Sequence, residues 1–146
     1  MALFNRILVP TDFSTSAPHT IKMAVAMARQ FGASLALLHV TEVPAYAYTG
    51  MMAAPLDLLT PVLQAGEQEL ATALKELQVQ MPGASSILRS GAAADEIIAA
   101  ARAMNADLVV IGAHGRRGVG HLLLGSVAER VVQLSRVPVL TVHGEG

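Results

Sequence analysis

Five short apolar runs divide this chain, and their length decides more about its fold than any other feature. Arg6 to Val9 reads RILV, Leu35 to Val40 reads LALLHV, Asp107 to Ile111 reads DLVVI and Val137 to Val142 reads VPVLTV; Ser86 to Arg89, SILR, is a weaker member. Runs of four to six consecutive apolar residues suit strands buried on both faces. The segments between them carry a different period. Ile21, Ala24, Val25 and Ala28 recur at i, i+3, i+4, i+7, after a candidate cap at Ser14 or Ser16 and with Pro18 in the first turn, and Gly32 stops the helix. Leu63, Leu70, Leu74, Leu77 and Met81 line a second helix, ended by Pro82-Gly83. Ile97, Ile98, Ala101 and Met104 line a third, and a fourth covers Val127 to Leu134. The order β-α-β-α-β-α-β-α-β predicts an open parallel sheet with helices on both faces, as one domain over residues 1–146.

Composition narrows the function classes. A chain of 146 residues can bury roughly 70% of its unfolded surface, enough for a core without staples. It has no cysteine, which removes thiol chemistry and fits a reducing, cytoplasmic setting. The net charge of -1 gives no electrostatic reason to expect nucleic acid as a partner, and 3% aromatic residues leave few stacking platforms. Mean hydropathy is +0.49, yet no apolar run approaches the ~20 residues that cross a bilayer, so no membrane insertion is expected. The apolar excess belongs in a core or an interface. Thr41 to Leu59 holds both tyrosines without a clean period; it is either a lid or a packed excursion, and its apolarity favours packing.

Chemistry concentrates after the fourth strand. Residues 112–126 read GAHGRRGVGHLLLGS, a glycine density with an entropic cost that asks for a reason. In open α/β sheets, ligands bind beyond the carboxyl ends of the strands, where the winding reverses. A helix opening near Ser126 points its first amides at an anion. Neither common phosphate motif fits. A Walker A loop needs a lysine where Gly125 is followed by Ser126, and the first βα turn, Pro10-Thr11-Asp12-Phe13-Ser14, has no glycine for a dinucleotide fingerprint.

What does fit is G-x2-G-x9-G-[ST], formed by Gly112, Gly115, Gly125 and Ser126. With VPTDFS after the first strand, LLHV in the second, ADLVVIGAHGR before the loop and LLLGSVAERVV with SRVPVLTV after it, the chain resembles the ATP-binding branch of the universal stress protein family. The resemblance runs the length of the chain and implies a sheet ordered 3-2-1-4-5 in a Rossmann-like fold. It implies that Val40 offers backbone groups to adenine, and that Asp12 and Gly112 sit at the ribose. Gly115, Gly125, Ser126 and Val127 would then take the phosphates of ATP or another adenine nucleotide, bridged by Mg2+ or Mn2+. Pro10, Thr11, Ile111, His114 and Arg116 complete the expected set. The same resemblance implies a homodimer through the strand Val137 to Val142, an apolar sheet edge that otherwise invites pairing.

Plainer readings stand beside these. Asp12 sits where it can cap the first helix instead of meeting a ribose. His114 more readily orients backbone or lines a site than acts as a base. His114 with His121 makes a poor zinc site, and His39 reads as a satisfied core residue. Arg116-Arg117 is a solvated pair or a phosphate contact, while Asp95-Glu96 and Glu129-Arg130 read as helix surface. Charge stabilisers can be named and a base cannot. The expected activity is therefore a nucleotide-binding regulatory module of the stress response. A slow ATPase or autokinase, with Ser126 or a nearby hydroxyl as acceptor, and a non-catalytic dimeric module with an empty cleft are the alternatives.

Overall fold

In the computed structural model, which describes residues 3–42, 59–114 and 124–144, the elements follow the expected order. They are β1 (Arg6–Pro10), α1 (Ala17–Phe31), β2 (Ser34–Thr41), α2 (Leu59–Gln80), β3 (Ser85–Ser90), α3 (Ala93–Ala103), β4 (Leu108–Gly112), α4 (Ser126–Leu134) and β5 (Val139–Val142). The five strands form one sheet in the order β3-β2-β1-β4-β5, and every pairing is parallel.

Strand alternation divides the core into two layers. Ile7, Val9, Leu35, Leu37, Leu108 and Val110 point to one face, where they meet Ala24, Val25 and Ala28 of α1 and Leu70 and Leu77 of α2. Leu8, Leu38, Val109 and Ile111 point to the other, against Ala94, Ile97, Ala100 and Ala101 of α3 and Ala128 and Val131 of α4. Alanines line the helix faces, so the helices can lie close to the sheet. Leu8, Leu37 and Val109 are fully buried, and truncating a leucine in such a layer costs about 2–5 kcal/mol. The end strands differ. β3 is largely exposed and β5 half-buried, as edges of an open sheet are.

Several expected boundaries move for local reasons. Ser16 does precede α1, but in a helical backbone conformation without a side-chain cap, and its Oγ lies 3.2 Å from that of Ser14. Gly32 ends α1 as expected, at φ 66°, with its N–H on the Ala28 carbonyl. Met81 lies just beyond α2 yet packs on the first layer, while Gly66 occupies a buried position on that helix. β5 starts at Val139, not Val137, because Ser135 Oγ bonds the amide and carbonyl of Val137 in a turn. Glu96 is not plain helix surface: it pairs with Arg89 at 2.9 Å, whereas Asp95 makes an exposed pair with Arg130. Most of the Thr41 to Leu59 segment, residues 43–58, lies outside the described residues, as do Gly115, Arg116, Arg117 and His121.

Candidate functional site

The central strands part at their carboxyl ends. The ladder between β1 and β4 consists of Ile7 with Leu108 and Leu8 with Val109, after which β1 runs on to Pro10 and β4 to Gly112. β2 leaves β1 on one side and β5 leaves β4 on the other, so this is the reversal point of the winding, where a crevice forms. Asp12 and Gly112 enter it from its two sides.

The β1 side is a tight turn. Pro10 still pairs with Leu38, and the Thr11 amide donates to the Leu38 carbonyl at 2.8 Å. Thr11 Oγ1 accepts the Phe13 amide at 3.2 Å, and Asp12 Oδ1 accepts the Ser14 amide at 3.0 Å. Asp12 therefore holds the turn that leads into α1 and does not cap the helix itself. Asp12 is half-buried, and a carboxylate is by its chemistry an acceptor for hydroxyls. Val40 lies at the end of β2, in register with Arg89, with its side chain in the second core layer and its backbone at the sheet's carboxyl edge.

The β4 side is the stem of the glycine loop. Ile111 is buried and pairs with Thr141; Gly112 pairs with Val142. Helix α1 passes so near Gly112 that a Cβ there would lie 3.2 Å from Thr20 Oγ1, a tight contact. The Ala113 amide donates to the Val142 carbonyl at 2.8 Å, and the Gly125 amide donates to the Ala113 carbonyl at 2.6 Å, joining the two ends of the loop. Gly125, not Ser126, is the residue before α4, and no side chain caps that helix. The first helical bond runs from the Glu129 amide to the Gly125 carbonyl. The amides of Ser126, Val127 and Ala128 precede it and have no partner within the helix, which is the anion-binding arrangement of a helix N-terminus. Ser126 is exposed, and Val127 packs into the second layer with Leu124.

His114 adds an unsatisfied group. Both its ring nitrogens are buried and, among the described residues, neither has a hydrogen-bond partner; its ring meets that of His143 edge-on at 5.9 Å. An imidazole in that condition suits a polar ligand or water.

The structure thus brings Pro10, Thr11, Asp12, Val40, Ile111, Gly112, His114, Gly125, Ser126 and Val127 to one end of the sheet, and Gly115 and Arg116 lie outside the described residues. Sequence reasoning missed Phe13, which adopts φ 59°; His39 is satisfied by a hydrogen bond as expected, but half-buried at the rim of this end and not in the core. A glycine within a helix, at Gly66, was the available signal that something had to come close there. Among the described residues no group of three or more His, Asp or Glu side chains could hold a metal, and no helix is long and apolar enough to cross a membrane.

Comparison with known proteins is consistent along the chain. The model of the universal stress protein family matches residues 3–143. The universal stress protein MJ0531 of Methanocaldococcus jannaschii is 32% identical over 142 residues, covering 96% of this chain and 82% of that one. The structure of the universal stress protein UspA from Lactobacillus plantarum superposes with a TM-score of 0.82 at 26% identity, over 95% of this chain and 97% of the other. A universal stress protein solved in complex with cAMP has the same fold, with a TM-score of 0.73 at 22% identity over 99% of this chain and all of its own length (100%).

Proposed function

The chain belongs to the universal stress protein family, and from that premise we propose that it binds ATP, or another adenine nucleotide, at the carboxyl edge of its sheet as a regulatory module of the stress response. The observation that carries this reading is the pairing of unlike groups across the reversal point. Asp12 stands on the β1 side as a hydroxyl acceptor, and the uncapped amides of α4 stand on the β4 side as anion donors. A ribose and a phosphate chain need those two chemistries in that order. The ring nitrogens of His114, without a partner among the described residues, offer a further polar contact. The cAMP complex of a protein of this fold supports an adenine nucleotide as the class of ligand.

In this reading Val40 supplies backbone groups to the base and Pro10 and Thr11 form the floor beside the ribose. Ile111 and Gly112 form the opposite wall, and Gly115, Arg116, Gly125, Ser126 and Val127 take the phosphates. The residues fit a nucleotide better than a free ion. Mg2+ or Mn2+ would arrive on the phosphates and keep much of its water, which suits a site whose described residues include no cluster of ligands for it. Such an ion neutralises phosphate charge; the chain's own part is to bind and orient.

Turnover is expected to be slow. The sequence offers no convincing general base and places no lysine after Gly125. Titration of the protein with ATP and Mg2+ by calorimetry, after mass spectrometry of the native protein to find any nucleotide it carries, tests the reading. Affinity in the micromolar range, on the order of -8 kcal/mol, is expected. No heat from ATP, ADP, AMP or cAMP would overturn it, and phosphate release near the ~10 per second median of enzymes would turn the regulatory reading into an enzymatic one.

The same premise extends to assembly. β5 ends the sheet with Val139, Leu140 and Thr141 only half-buried, and Val132 and Leu134 of α4 are exposed. We propose that a second copy pairs on this edge about a two-fold axis. Val139→Asp should shift sedimentation from dimer to monomer, and a wild-type protein that stays monomeric at high concentration excludes the arrangement.

A further inference from the structure

We propose that His39 is a positioning residue for Asp12: it holds the β1 turn in the one conformation that presents the carboxylate to a ribose. The inference rests on the nucleotide reading above and adds the element that makes the site specific for sugar hydroxyls.

His39 lies near the end of β2, on the face that looks toward α1 and α2. Its Nδ1 is 3.0 Å from the Thr11 carbonyl oxygen. A carbonyl only accepts, so Nδ1 carries the proton and donates. Thr11 is thereby clasped from both sides by β2, its amide on the Leu38 carbonyl at 2.8 Å and its carbonyl on His39. The peptide so held is the one that leads into Asp12.

The next residue shows why a clasp is needed. Phe13 has φ 59°, a left-handed conformation that bulky residues rarely adopt and that costs on the order of 1–3 kcal/mol. A turn with that cost persists only when its surroundings over-determine it. Thr11 Oγ1 holds the Phe13 amide, and the Phe13 ring lies on the His39 imidazole, with centroids 4.4 Å apart and planes tilted by 43°. His39 therefore holds the turn twice, by a hydrogen bond before Asp12 and by ring contact after it.

Helix α2 supplies the space. At Gly66 a Cβ would lie 2.7 Å from Thr41 Oγ1 and 3.3 Å from His39 Cδ2. Glycine within a helix costs about 1 kcal/mol relative to alanine, and its steric reason here is first Thr41 and then the His39 ring beside it. The chain of contact runs from Gly66 through His39 and Thr11 to Asp12.

The test is binding of ATP and of 2′,3′-dideoxy-ATP to four proteins: wild type, His39→Leu, His39→Asn and Gly66→Ala. The asparagine amide can donate to the Thr11 carbonyl where Nδ1 did; leucine cannot. His39→Leu and Gly66→Ala are expected to bind ATP about tenfold more weakly and the dideoxy analogue unchanged, because only the hydroxyl contact through Asp12 is lost. His39→Asn should recover most of the ATP affinity. Equal losses for both ligands would mean a general structural role, and wild-type ATP affinity in His39→Leu would mean no role; either overturns the proposal. If wild type binds neither nucleotide, the functional reading fails, and the positioning role is decided by amide exchange in the ligand-free protein. The Phe13 and Ser14 amides should exchange about tenfold faster in His39→Leu and by a smaller factor in His39→Asn, which restores the hydrogen bond but not the ring contact; unchanged exchange in both rejects the role.

Discussion

The two ends of the sheet are built from the same strands and treat their polar groups differently. At the amino end, polar groups are used up locally. Asp107 accepts the Asn5 amide at 2.8 Å and the Arg6 amide at 3.0 Å on its two oxygens, and its own amide donates to the Arg6 carbonyl. The Ser34 amide and hydroxyl both reach the Asn5 carbonyl, and the Arg29 guanidinium caps the Gln80 carbonyl at the end of α2. At the carboxyl end, groups remain without a partner among the described residues: the first amides of α4 have none within the helix, and neither ring nitrogen of His114 has one. Both ends are stitched, the carboxyl end by its turns and loop stem and the amino end by a side chain, Asp107, that ties down two backbone amides at once.

Breaking this contrast should have separable effects. The largest is expected for Gly125→Val, which puts a branched side chain at the amides of α4; nucleotide affinity should fall at least about 100-fold, or ~2.7 kcal/mol, with the melting temperature nearly unchanged. Calorimetry and thermal unfolding on the same sample read both numbers. Next comes Asp107→Ala at the other end. Losing a carboxylate that accepts two backbone amides costs about 2 kcal/mol, discounted for its exposure, and should lower the melting temperature by roughly 5 °C at this chain length without altering nucleotide affinity. A change in affinity there would show that the ends are not independent. The smallest is Asp12→Asn. Its amide oxygen can still accept the Ser14 amide, so the turn survives, and only charge at the ribose is lost; ATP should bind about tenfold more weakly, ~1.4 kcal/mol, with no change in stability. Unchanged ATP affinity in that variant would return Asp12 to a purely local role in its turn.

Much of the fold was legible in the sequence because burial on both faces leaves continuous apolar runs. β1, β2 and β4 read directly from RILV, LALLHV and LVVI, and the helix faces from their period. The edges were less legible: β3 and β5 are half solvated, so their patterns are mixed and their bounds shifted by one or two residues. The candidate site divides in the same way. Gly112, Gly125 and Ser126 were visible through their spacing and Asp12 through its position after β1. His39 was read as core because LLHV is apolar around it, and nothing local reveals that its ring turns back to Thr11. Contacts between β2, the β1 turn and α2 are tertiary, and a single sequence records them only as an unexplained glycine at 66.

The strand order has a consequence in time. Ile7 pairs with Leu108, so the middle of the sheet is closed by a strand made roughly 100 residues after its partner, about 5–20 seconds later at ~5–20 residues per second on the ribosome. β1, β2 and β3 are neighbours in the finished sheet and can associate first, leaving the apolar flank of β1 uncovered meanwhile. During that interval the nascent chain has the turn at Asp12 and lacks the start of α4. Ribosome-bound chains stopped before β4 should accordingly be captured by a hydrophobic-surface probe and retain no nucleotide. Those extended beyond β5 should lose the first property and, if the proposed site is correct, gain the second together.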